Sequence, residues 1–293
     1  MFLSFSGMQG TVALHDCDEL LDPVLRVTRG WPSETVTDGP SETVAISISA
    51  ISDGYSRVST WTPVPSTDDD IADALCDLIS DLIDAYLAER PDMLALHAAA
   101  VDIGGKLVLF PNQHKAGKSL LSVQLAALGG RVFSDDVLPI DPESSNGIAL
   151  GIAPRLRLPL PENAGAFLRE HLSQCGTITN ERYAYVDTPT STRPMLGTQA
   201  PIETIINLNR AEGATEPELT PMPTSSAVKM MIERNLGFRG NANGVLDQLC
   251  DIVEKCDCYE LRYHDPFDAA KHLMAVFGGR GENDAHPTST PQY

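Results

Sequence analysis

The chain's 293 residues, 42% of them hydrophobic, suffice for one large domain or two ordinary ones with a sizeable core. Lys and Arg total 21 against 40 Asp and Glu, a formal charge of −19. A surface that negative repels nucleic-acid backbones and anionic lipid, which disfavours both as partners, and no run approaches the ~20 apolar residues of a membrane span.

The opening MFLSFSGMQGTVALHD has neither a basic leader nor a clear cleavage site. Six cysteines, Cys17, Cys76, Cys175, Cys250, Cys256 and Cys258, form no paired CxxC set, so idle thiols in a reducing cytoplasm are expected. Residues 1–65 contain short β-like runs, Val24–Val27 and Thr43–Ile48, divided by Gly, Pro, Ser and Asp, and read as a small β-rich N-terminal unit. PVPSTDDD (63–70) is a linker and helix start, and its acidic residues suit the helix dipole. Ile71–Arg90 follows as an amphipathic helix, with Leu75, Leu78, Ile79, Leu82, Ile83 and Tyr86 on one side. It opens a larger unit expected to span 66–277.

Leu94–Val101 and Lys106–Phe110 read as strands around the turn Asp102–Gly105, a hairpin. It leads into Pro111-Asn112-Gln113-His114-Lys115-Ala116-Gly117-Lys118-Ser119, the ending of a phosphate-binding loop. Such a loop wraps backbone N–H groups around a polyphosphate at the start of a helix, whose N-terminus favours anions. The full pattern is G-x-x-x-x-G-K-[ST], and Asn112 stands where its first glycine belongs. That position often needs a positive φ, which Asn tolerates better than other non-glycine residues. The helix is expected from Ser119 to Gly129-Gly130, and the strand Arg131–Ser134 then ends in Asp135-Asp136. Two carboxylates at a strand's end, one helix after a phosphate loop, suit a metal ligand beside a catalytic base.

Beyond the acid pair, residues 137–160 contain a strand, a turn at 144–147 and the segment Pro154-Arg155-Leu156-Arg157-Leu158-Pro159, whose arginines share one face if extended. Residues 161–175 read as helix, 176–200 as loops around the strand Tyr183–Val186, Ile202–Leu208 as a strand, 224–236 and 243–255 as helices, and Tyr259–Tyr263 as a strand without assigned chemistry. The tail 278–293 has a disorder-like composition.

From His97 to Asp136 the chain resembles the catalytic core of the HPr kinase/phosphorylase family, and more closely the HPr-kinase-related proteins encoded near peptide-modification genes. The LHAAAV strand, the phosphate loop and the Ser134-Asp135-Asp136 strand end lie in register, 15 residues from His97 to Asn112 and 23 from Asn112 to Asp135. The match is close over residues 94–160, looser to about 275, and silent on 1–60. It implies an α/β (α+β) fold related to phosphoenolpyruvate carboxykinase, with the phosphate loop in a mixed sheet. It also implies ATP- and Mg²⁺-dependent phosphorylation of a serine-type hydroxyl on a peptide, protein or small molecule. The family's own phosphocarrier is not carried over, because no counterpart of its recognition element aligns here. A homo-oligomer is compatible with the sequence, and a nucleotide-binding module without catalysis is the alternative reading.

Under this reading Lys118 offsets charge on the β- and γ-phosphates and Ser119 holds Mg²⁺. The loop from Asn112 through Lys115, Ala116, Gly117 and Leu120 cradles the nucleotide. One of Asp135 and Asp136 accepts the hydroxyl proton and the other binds metal. Position in the resembling family favours Asp135 as base and Asp136 as ligand. His97 neighbours the loop, where an aspartate or a phosphate is within its reach, and Arg155 is a candidate for neutralising transition-state charge.

Overall fold

A computed structural model describes residues 1–36, 43–113, 116–236 and 242–280 as a mixed α/β protein with seven α-helices and four sheets, two of them mixed and two antiparallel, among them. The first sheet has six strands in the order Ser33–Val36, Phe2–Phe5, Thr11–His15, Val44–Ile51, Gly54–Ser59, Ser66–Asp68. Helix Ile71–Ala88, capped by the Asp70 carboxylate on Asp73 N–H, lays Leu75, Leu78 and Leu82 into the cluster formed by Leu3, Val12, Leu14, Ile46 and Ile48. Each such leucine contributes roughly 1.5–3 kcal/mol. Leu150, Ala153 and Tyr185 join the same cluster, so its packing reaches well beyond the first 70 residues.

The expected β-run Val24–Val27 is instead the end of helix Leu21–Val27. Val24 and Val27, three residues apart, are buried while Leu25 is exposed, which is helical rather than alternating burial. Pro23 sits in the first turn, where its missing N–H costs no helical bond.

The second six-stranded sheet runs Arg131–Ser134, Ala99–Ile103, Lys106–Phe110, Ile202–Arg210, Asp257–Tyr263, Glu218–Pro221. Ala99–Ile103 and Lys106–Phe110 form the expected hairpin, turning on Gly104 and Gly105 at φ 65° and 89°. Lys106–Phe110, Ile202–Arg210 and Asp257–Tyr263 are parallel, which brings their carboxyl ends to one edge. Helix Lys118–Ala127 and helix Pro266–Phe277 share the cluster on one face of this sheet, through Leu121, Leu125, Ala269 and Leu273.

Leu94–Val101 is not one strand. Leu94–His97 pairs with Val137–Ile140 in a four-stranded sheet, while Ala99–Ile103 pairs with Arg131–Ser134 in the six-stranded one. Both chains therefore cross between sheets together, one at Ala98 and the other at Asp135-Asp136. A register shift between Val132 and Ser134 marks the crossing, as expected of a bulge that re-aims a strand. Arg155–Arg157 belongs to a three-stranded sheet with Tyr183–Val186 and Thr177–Thr179.

The helices expected over 161–175, 224–236 and 243–255 occur as Gly165–Cys175, Thr224–Arg234 and Ala242–Glu254. Gly278–Arg280 forms a 3-10 turn rather than the start of a tail, and 281–293 lies outside the described residues. Among the described residues no helix is long and apolar enough to cross a membrane.

Candidate active site

Strand Lys106–Phe110 leads into the segment expected to be a phosphate loop, beside the parallel strands Ile202–Arg210 and Asp257–Tyr263. After Phe110 the chain turns through Asn112, and Gly117, at φ 93°, precedes helix Lys118–Ala127 as its N-cap. A glycine there offers no capping side chain, so the first-turn N–H groups remain for another acceptor. Tyr263, last in its strand, donates its hydroxyl to Ala116 O at 3.4 Å, and a Cβ on Gly117 would stand 3.1 Å from the tyrosine hydroxyl oxygen. His114 and Lys115, including the expected Lys115 contact, lie outside the described residues.

Asn112 does something other than replace a flexible glycine. It is not among the residues at positive φ, and it is buried. Its Nδ2 donates to Asn207 Oδ1 at 2.8 Å and Leu208 O at 3.3 Å, and its Oδ1 accepts from Leu208 N–H at 3.1 Å. The side chain thus pins the loop to the neighbouring parallel strand by its amide, which glycine lacks.

Lys118 is 7% exposed and donates from Nζ to Asn112 O at 2.7 Å and Gln113 O at 3.4 Å. Burial pushes its ammonium down to about 8. Asp136 and Asp135 oppose that shift, while Arg234 and Arg157 reinforce it. The lysine is therefore a desolvated cation encircled by loop carbonyls, with both carboxylates close enough to act on it.

The acid pair is fixed by its own turn. Ser134 Oγ donates to Ala98 O at 2.9 Å and accepts from Asp136 N–H at 3.1 Å, which ties the two crossing chains together. Asp135 Oδ2 accepts from Arg155 N–H at 2.9 Å. Burial and the adjacent Asp136 charge push Asp135 up to about 6, against the lowering effect of that bond. Asp136 stays half-exposed, with Oδ1 3.4 Å from His97 Nε2 and Oδ2 3.8 Å from an Arg155 guanidinium nitrogen. The same guanidinium lies 4.8 Å from the Tyr183 ring centre and donates to Cys76 Sγ.

A cavity of about 310 Å³ joins these parts. Ala116 through Leu120 line it together with His97, Asp135, Asp136 and Arg155, so all the singled-out residues within the described residues meet there except Asn112. The lining also holds two further cations, Arg157, which an extended segment places on the same face as Arg155, and Arg210, which the sequence did not single out. Arg210 ends the strand next to the loop strand, and side chains at the carboxyl ends of parallel strands are where a sheet gathers its ligand contacts. Four cations, Lys118, Arg155, Arg157 and Arg210, thus face two carboxylates, a local positive balance in a chain of net charge −19.

No family model matches the sequence, and no curated protein matches it. Among solved structures the chain is similar to the HPr(Ser) kinase/phosphatase from Coxiella burnetii, at 15% identity and a TM-score of 0.28, over 63% of this chain and 91% of that one. A likeness at that TM-score carries no argument about fold or activity, so any functional reading rests on the site's own geometry.

Proposed function

We propose that the protein is an ATP- and Mg²⁺-dependent kinase with an HPr-kinase-like phosphate-loop core, transferring the γ-phosphoryl group to a hydroxyl. The carrying observation is the cavity in which Lys118 and three arginines, at a glycine-capped helix start, face the Asp135-Asp136 pair. A loop strand with antiparallel and parallel neighbours agrees with the mixed sheet that the family resemblance implies.

The residues present suit the nucleotide and metal. The first-turn N–H groups and Lys118 match a polyphosphate, and the Ser119 hydroxyl and Asp136 carboxylate are hard oxygen donors. Among the described residues no three His, Cys, Asp or Glu side chains cluster as a metal cage. Magnesium needs none, since it takes one or two protein oxygens and completes its shell from phosphate and water. When bound, it supplies charge neutralisation across the transferring phosphate.

Lys118 adds a cation where negative charge accumulates, and its desolvation strengthens that effect. Asp135, pushed up to about 6, is a base suited to near-neutral pH: largely ionised at pH 7 yet basic enough to accept a hydroxyl proton. Arg155 orients Asp135 through its backbone N–H and brings its guanidinium beside Asp136.

Calorimetry with ATP–Mg²⁺ and release of labelled phosphate to an acceptor test the reading. The wild type is expected to bind the nucleotide. Lys118→Ala is expected to fold normally and lose roughly 2–4 kcal/mol of transition-state stabilisation. A wild type that shows no nucleotide binding would overturn the proposal.

A further inference from the structure

A second cavity, about 480 Å³, shares Asp135, Asp136 and Arg155 with the first but none of its phosphate-loop residues. The acid pair and Arg155 therefore stand in the wall common to two spaces. Much of the second space is apolar, lined by Ile79, Ile83 and Leu87 of helix Ile71–Ala88, by Leu150 and Ile152, and by Val245 of helix Ala242–Glu254. Ser80, Asp84, Arg90 and Asp92 also line it, so the wall is nearly as polar as it is apolar. Gln248, one turn after Val245, also contributes to the wall, and its Nε2 is buried with no hydrogen-bond partner among the described residues. A buried donor left without an acceptor is costly unless an occupant supplies one.

A cavity of this size encloses most of a small ligand. A serine presented on the surface of a folded protein would leave such a space unfilled. We infer that this cavity receives the phosphoryl acceptor, and that the acceptor is a small alcohol carrying an apolar chain and a hydrogen-bond acceptor for Gln248 Nε2. The inference rests on the kinase reading of the phosphate side. In the transfer, the alcohol oxygen forms a bond to the γ-phosphorus as the bond from that phosphorus to the β,γ-bridging oxygen breaks. The electron pair of the broken bond leaves on ADP, the hydroxyl proton passes to the Asp135 carboxylate, and the products are a phosphate monoester and ADP.

The test uses the full chain, ATP–Mg²⁺ and straight-chain primary alcohols from ethanol to 1-hexanol, with ADP formation as the readout. Burial of each added methylene is expected to raise kcat/KM about fourfold. Ser80→Trp and Gly244→Trp fill the cavity from two helices. Ser80 is exposed, and an added Cβ at Gly244 meets nothing within 4 Å, so both variants are expected to fold. Each should flatten the chain-length dependence while calorimetry shows unchanged ATP affinity. Nucleotide binding with a flat alcohol series, or ADP formation only with a serine-containing peptide, overturns the inference and leaves the kinase reading standing. Absence of nucleotide binding overturns both.

Discussion

Burial and the Asp136 carboxylate push Asp135 up to about 6, so near neutral pH the fold carries an ionised group that it would hold more comfortably protonated. The unfolded chain ionises the same carboxyl near ~3.9. The protonated form therefore favours folding fully below about pH 4, and that stability is lost as pH rises through 6. Asp135→Asn keeps an oxygen for Arg155 N–H and removes the charge. It is expected to raise the unfolding free energy by about 2–3 kcal/mol at pH 7–8, and by next to nothing below about pH 3, in matched denaturant melts. The same substitution is expected to lower turnover on the order of 10²–10⁴-fold, with ATP binding retained. Unchanged turnover would remove Asp135 from the mechanism. Asn112 calls for the opposite expectation from the one its sequence position suggests. Glycine there would delete three hydrogen bonds and strand the buried Leu208 N–H, so Asn112→Gly is expected to cost about 1–3 kcal/mol. It should also weaken ATP binding, because the loop loses its tie to the neighbouring strand. A variant as stable as the wild type would show the amide pairing to be dispensable.

At the scale of elements, legibility follows sequence separation. Helix Lys118–Ala127, the hairpin before it and the acid pair after it were readable because each is set by a few contiguous residues. Glycines mark the hairpin turn and both helix ends, and Ser134 fixes the carboxylates through bonds within its own turn and to Ala98. The Asn112 amide pairing spans 95 residues and the Tyr263 contact to Ala116 spans 147. Those contacts depend on parallel-strand register, which no local pattern encodes. The split of Leu94–Val101 was hidden for a related reason. A continuous apolar run fits one buried strand as well as two strands in different sheets, and only the partners of Leu96 and Ala100 distinguish them. Helix Pro266–Phe277 was not expected from the sequence, although its start carries a readable signal. Asp265 accepts from Phe267 and Asp268 N–H, and Pro266 occupies the first turn, the asymmetry expected of a helix N-terminus. The second cavity had no sequence signature, because its wall is assembled from helices, strands and loops scattered between residues 76 and 248.

For the molecule as a whole, the formal charge of −19 and the cationic cavity pull an approaching nucleotide in opposite directions. Treated as a sphere of roughly 25 Å radius, the chain would repel ATP–Mg²⁺, of charge about −2, by about 6 kcal/mol in unscreened water. With Debye lengths of about 30 Å at 0.01 M and 8 Å at 0.15 M, about half and about a quarter of that repulsion survive at the surface. The difference is about 1.5 kcal/mol, or roughly tenfold in encounter rate. The Lys118, Arg155, Arg157 and Arg210 cluster acts over a few ångströms within partly desolvated walls, where salt screens less. Added salt should consequently relieve the long-range repulsion more than it weakens the local attraction. Stopped-flow binding of a fluorescent ATP analogue is expected to show an association rate rising about three- to tenfold between 0.01 and 0.15 M salt. The dissociation rate should change less, because it is governed by contacts inside the cavity. An association rate that falls with salt would mean that the cationic cavity, rather than the net charge, steers the nucleotide from a distance.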